Sequence, residues 1–229
     1  MIDLIEILEF ILDNIYVKCG KDIFKQVIGI PIGLDSGQDI ANLLLFSYES
    51  DYVANLAKTD VGLARKFNLC KRYIDDEFVG NFPEFKEHIY QIYPRELEIK
   101  LESNNIKEVA FLDLNLKSEN DVLISSVYDK RDNFSFEIVN YPFIDSCIPK
   151  KSALGVFSSQ LIRYARICSK FTDFKDKSAS LVNKLKNQGY KISDLKRLGL
   201  KFFNERKELV DKYRVVQKKL AEDQKKLAF

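Results

Sequence analysis

The apolar residues of this chain change their period once, and that change constrains the fold more than any other feature. Segments such as "VAFLDLNL" (109–116), "VLISSVYDK" (122–130) and "FSFEIVN" (134–140) alternate apolar and polar residues, as half-buried strands do. From "IPKK" (148–151) onward the spacing is helical to the end. Charge changes at the same place. Residues 1–148 hold 15 Lys and Arg against 26 Asp and Glu, whereas residues 149–229 hold 21 against 8. The expected fold class is α+β: a mostly antiparallel sheet with helices on one face over 1–148, then a basic helical region over 149–229. A basic half of this kind points to a polyanionic partner.

With 229 residues, 46% of them apolar, the chain is long enough to bury a core and lacks the composition of a disordered protein. The longest apolar run, near Leu43–Phe46, is far short of the roughly 20 residues that cross a bilayer, so no membrane span is expected. The first helix carries Asp3, Glu6 and Glu9 where a secretory signal has a cationic start, which favours an intracellular location without separating nucleus from cytoplasm. Cys19, Cys70, Cys147 and Cys168 are far apart and read as buried, reduced thiols. His88, the only histidine, reads as a surface residue of an exposed helix.

Helical spacing covers residues 2–16, with Gly20 as the residue that ends the helix, and returns over 36–57 with Asp35 or Ser36 as N-cap. On the second helix Ile40, Leu43, Leu44, Tyr48 and Tyr52 form one apolar face. A strand-like stretch (23–33) lies between them, a further helix is expected over 83–93, and "LEIKL" (97–101) reads as a strand whose Lys100 faces solvent.

"KRYIDDEFV" (71–79) sets Asp75 and Asp76 side by side at the tip of an expected hairpin. Two carboxylates this close repel unless one is protonated or a cation lies between them. Magnesium suits such a pair, because it takes one or two carboxylates together with substrate phosphates. For an isolated pair of aspartates a solvated turn is the favoured account, since Asp is common in turns.

The surroundings of the pair add to this. "YIDD" resembles the polymerase motif of reverse transcriptases, and "QVIGIPIGLDSGQDIANLLL" (26–45) resembles the glycine-bearing loop and helix that precede it in that family. "FLDLNLK" (111–117), "VYDKRDNFSFEIVNYP" (127–142), "RYARICS" (163–169) and "NKLKNQGY" (183–190) follow in the order seen in Penelope-like retroelement enzymes. The resemblance implies a right-hand polymerase palm over 1–148 and a helical thumb over 149–229. It implies RNA-directed DNA synthesis, with an RNA template, a DNA primer and deoxynucleotides as partners. Asp75 and Asp76 are then the catalytic magnesium ligands, and Pro31 and Gly33 line the nucleotide site. Asp113 is not counted as a metal ligand. One departure from the family is "SGQDIANL", which has Gly37 and Gln38 where relatives often carry Ala-Pro or Ser-Pro.

The same family supplies a further catalytic aspartate from a strand one helix upstream of the glycine loop, and this sequence starts at that helix. The expectation is therefore an N-terminally truncated palm without fingers, with an exposed sheet edge available for self-association. Arg163, Arg166 and Lys170, at spacings of three and four, are expected to share a helical face that grips duplex phosphates. The alternative is a non-catalytic nucleic-acid-binding remnant. A third reading is a coiled partner-binding surface formed by Leu209, Tyr213, Val216, Leu220 and Leu227.

Overall fold

The computed structural model describes residues 3–213 apart from 32, 103–106, 121 and 137. It is an α+β fold of small antiparallel sheets and helices, in two compact units that divide after Lys100. The strands belong to three separate sheets, of two, two and three strands, rather than to the single sheet expected. Among the described residues no helix is long and apolar enough to cross a membrane.

In the first unit, helix α1 (Leu4–Asp13) stops at Asn14, whose amide donates back to the Phe10 carbonyl at 2.7 Å. Strands β1 (Tyr16–Cys19) and β2 (Asp22–Lys25) then pair as a hairpin. Gly20 therefore does not end the helix. Its positive φ of 63° serves the hairpin turn, and the aromatic and β-branched Tyr16, Val17, Ile23 and Phe24 favour the strands around it.

Helix α2 (Gly37–Thr59) follows, then the short α3 (Val61–Lys66), where the Asp60 carboxylate accepts from the Leu63 N–H at 2.9 Å. Strands β3 (Cys70–Tyr73) and β4 (Asp76–Val79) form the second hairpin, and α4 (Phe85–Ile92) comes next. Phe82, Phe85, Ile92 and Tyr93 are buried, with Leu45, Tyr52, Leu63, Phe67, Val79 and Ile89 packed on them.

Two expectations fail here for one reason. The face of α2 that turns inward runs through Leu45 and Tyr52, and Leu43 (65% exposed) and Leu44 (47%) lie outside it. His88 is also drawn in. Tyr52 hydroxyl and His88 Nδ1 are 2.6 Å apart, and the imidazole packs edge-on to Phe67. An aromatic cluster fixes which side of α2 is covered, and helical periodicity alone does not identify that side.

"LEIKL" is not a strand. Ile99 packs against the first unit's core, but the backbone there pairs with no strand, and Lys100 sits beside Glu98 in solvent. Alternation without a neighbouring edge does not make a strand.

In the second unit, β5 (Glu108–Phe111), β6 (Leu114–Glu119) and β7 (Val122–Val127) form a three-stranded meander. "VAFLDLNL" is thus two strands joined by the turn Leu112–Asp113. Residues 134–136 and 138–140 of "FSFEIVN" are irregular after a short 3-10 turn (Lys130–Asn133). Helices α5 (Lys150–Ile167), α6 (Phe171–Asn187) and α7 (Ile192–Glu205) meet the expectation of helix after residue 148 within the described residues, and residues 214–229 lie outside them.

Their core is dense. Val127 of β7 is buried with Phe157, Leu161, Phe174, Leu181, Leu185, Leu195 and Phe202. Ser125 of β7 ties the sheet to the end of α5, donating to the Ile167 carbonyl at 2.6 Å. Gly189 (φ 86°) ends α6, letting the Tyr190 N–H reach the Leu185 carbonyl at 3.1 Å. An added Cβ there would lie 3.1 Å from Ile144 Cγ2.

Of the cysteines only Cys168 is fully buried. Cys19 and Cys147 are exposed, all four are free thiols, and burial pushes the half-buried Cys70 thiol up to about 12. Tyr213 is a core residue whose hydroxyl donates to the Cys168 carbonyl at 3.1 Å, and Leu209 packs beside it. Neither is free for a coiled partner, and Val216, Leu220 and Leu227 lie outside the described residues.

Candidate metal-binding hairpin

Asp75 and Asp76 meet at a two-residue turn. Tyr73 pairs with Asp76, leaving Ile74 and Asp75 as the loop, with φ 52° at Ile74. A positive φ at the first central residue alone is the type II′ pattern, which fits the twist of a hairpin and normally takes glycine. Isoleucine in that conformation costs about 1–2 kcal/mol. The turn is therefore strained, and something must hold it.

The clamp is Arg72, whose side chain is 11% exposed. Its Nε donates to the Glu49 carboxylate, its Nη1 to Asn42 Oδ1 (2.8 Å) and to the Ile74 carbonyl (3.1 Å), and its Nη2 to the Asn42 carbonyl (3.2 Å). Tyr93 hydroxyl donates to Glu49 at 2.5 Å and approaches Glu77 at 3.4 Å. Burial, and then the Glu49 charge, push the Glu77 carboxyl up to about 7.

Sequence reasoning missed these five residues, Asn42, Glu49, Arg72, Glu77 and Tyr93. One signal was present: Arg72 and Glu77 are cross-strand partners, on the same inward alternation as Cys70 and Val79. Opposite charges on the inner face of a hairpin mark a buried network.

Above the clamp, the Asp75 and Asp76 side chains are exposed and accept no hydrogen bond from a protein donor among the described residues. Two adjacent, unneutralised carboxylates on a fixed backbone suit magnesium, which would fill its remaining positions with water and phosphate oxygens. Among the described residues no third Asp, Glu, His or Cys joins them in a metal-sized group.

Pro31 and Gly33 lie in the loop that leads into α2. Gly33 is exposed at φ 100°, with open space where a Cβ would stand, so it leaves room for close approach of another molecule. Gly37 anchors the loop: its N–H donates to the Leu34 carbonyl at 2.9 Å, and a Cβ there would crowd Ile30 and Pro31. Leu12, Val27, Ile30, Ile40 and Leu44 line a groove of about 550 Å³ beside it. Helix α2 links loop and hairpin, because Asn42, which binds Arg72, is only five residues beyond Gly37, roughly 7.5 Å along the axis.

The three basic residues do not share a helix face. Helix α5 ends at Ile167, and Lys170 stands at the start of α6. Arg163 binds Asp113 (3.0 Å) and Lys170 binds Glu119 (2.5 Å), so both are paired within their own unit. Of the three, only Arg166 presents an exposed guanidinium with no ion pair among the described residues. Lys196, Arg197 and Lys201 lie together on α7 beside Leu200 and Glu205, with Arg197 paired to Asp194 (3.2 Å) and Lys201 to Glu205 (3.8 Å).

No family model matches the chain, and no curated protein or solved structure matches it either.

Proposed function

We propose that this chain provides the metal-binding hairpin and a duplex-binding helical unit of an RNA-directed DNA polymerase, similar to Penelope-like retroelement reverse transcriptases. One observation carries the reading: Asp75 and Asp76 are exposed and unpaired on a strained turn that a buried network holds in place. Such an arrangement stores carboxylate charge for a cation rather than for the protein's own stability.

In this reading residues 1–148 are a palm, of which the first unit supplies the hairpin and the glycine-bearing loop. Asp75 and Asp76 would hold magnesium, which when bound supplies charge stabilisation to a transferring phosphoryl group. Gly33, with space above its Cα, and Pro31 would border the incoming deoxynucleotide. Arg166 and the basic face of α7 would contact phosphates of an RNA template paired with a DNA primer. A further carboxylate and the nucleotide-holding surface would come from residues outside those described or from another polypeptide segment.

The second reading, a nucleic-acid-binding protein without catalysis, is favoured by the lack of a third metal-ligating side chain beside the pair among the described residues. Primer extension on an RNA template with magnesium separates the two, using wild type and Asp75→Asn/Asp76→Asn. Extension that the double variant abolishes supports the polymerase. Salt-sensitive binding of primer-template without extension supports the binding protein. Absence of binding contradicts both.

A further inference from the structure

We propose that Arg72 is the positioning residue of the Asp75–Asp76 turn: its guanidinium holds the left-handed Ile74 in place and so sets where the two carboxylates stand. The inference rests on the metal-binding reading of this turn and assigns a role to a residue that touches neither metal nor substrate.

Ile74 at φ 52° occupies the place of a type II′ glycine, and it is β-branched, the class of side chain that tolerates this region least. If Ile74 relaxed to negative φ, the loop would take a type I or II twist, which splays the flanking strands. Asp75 is the next residue and Asp76 begins β4, so relaxation would move both carboxylates.

Arg72 opposes that relaxation by a specific bond. Three of its four hydrogen bonds go to α2, to Glu49 and to the side chain and carbonyl of Asn42, and the fourth goes to the Ile74 carbonyl at 3.1 Å. The guanidinium is therefore placed by the helix before it meets the turn. Its planar fork spans both, which a lysine ammonium on a single point cannot do. Because α2 also carries the Gly37 anchor of the Pro31–Gly33 loop, Arg72 refers the carboxylates to the same helix as that loop.

The chain contains its own control. Leu112 also has a positive φ (55°) in the turn before Asp113, and no arginine among the described residues binds its carbonyl.

The test uses the full chain, uniformly ¹³C,¹⁵N-labelled for NMR, in wild type, Arg72→Lys, Arg72→Gln, and each of these combined with Ile74→Gly. Mn²⁺ is the metal probe, followed by paramagnetic broadening at residues 74–77. Both single variants should move the Ile74 Cα and Cβ shifts from left-handed toward extended values and leave those of Leu112 in place. Mn²⁺ affinity should fall at least about tenfold, and Ile74→Gly should bring it back to within about threefold of wild type, because glycine adopts the turn unaided.

Unchanged Ile74 shifts in a folded Arg72→Lys, or no rescue by Ile74→Gly, would overturn the inference. An arginine that merely anchored the hairpin would lose stability equally in both backgrounds. If a single variant does not fold, recovery of folding by Ile74→Gly supports the role and failure to recover contradicts it. Absence of Mn²⁺ binding to wild type would count against the metal reading alone, since the Ile74 shifts of the single variants still judge Arg72.

Discussion

The turns at Ile74–Asp75 and Leu112–Asp113 have the same backbone and use their aspartates in opposite ways. Each is a two-residue hairpin loop with an apolar residue at positive φ followed by Asp. At the second turn, Asp113 is spent on structure, since its carboxylate accepts from Arg163 of α5 at 3.0 Å. At the first, the support comes from below, through Arg72 bound to α2, and Asp75 and Asp76 stay free of protein donors among the described residues. The comparison teaches that strain in itself does not mark a site. What marks it is strain combined with acidic groups that the fold leaves unneutralised while it stabilises everything around them.

The largest expected effect comes from removing the support of the first turn. Glu49→Ala leaves Arg72 and the Tyr93 hydroxyl without their shared acceptor, and should cost about 2–4 kcal/mol, read as lost hydrogen-exchange protection in β3 and β4. Asp113→Asn, which removes a half-exposed pair, should cost less than about 1 kcal/mol by the same measurement. Equal costs would erase the distinction between the two turns.

A second, smaller effect depends on pH. The folded pKa of Glu77, about 7, lies above its ordinary value of 4.5, so the folded protein holds a proton that the unfolded chain gives up. Its contribution to stability is full below about 4.5 and is lost as pH rises through about 7. Glu77→Gln should therefore match wild type at low pH and exceed it at pH ~8 by about 1–2 kcal/mol in urea unfolding. In the second unit the sign reverses. Hydrogen bonding to Arg131 holds the Asp129 carboxyl below its usual range, so that pair stabilises the fold above its ordinary pKa of 3.8 and is lost in acid.

The smallest effect is expected from Leu112→Gly. Relief of a positive φ should offset the lost side-chain contact to within about 1 kcal/mol, measured by thermal unfolding. A larger loss would mean that Leu112 packs more tightly than its 43% exposure indicates.

The helices after residue 148 were legible in sequence because their apolar stripes form a dense common core, and the paired aspartates were legible as a hairpin tip. Other features were not. "LEIKL" and "FSFEIVN" alternate like strands but pair with no strand among the described residues, and pairing is a tertiary fact. The covered side of α2 was misplaced because Asn42 and Glu49, both polar, face the hairpin and carry Arg72. Arg163, Arg166 and Lys170 read as one helical face from spacing, whereas Arg163 and Lys170 find partners, Asp113 and Glu119, some fifty residues away in sequence. Long-range ion pairs of this kind leave no local pattern.

The most direct test of the central claim is a Mn²⁺ titration of the full chain, watched by NMR at both turns together. The account predicts broadening centred on Ile74–Glu77, lost in Asp75→Asn/Asp76→Asn, with the Leu112–Asp113 turn unaffected. Broadening that is equal at both turns, or that survives the double substitution, would contradict it.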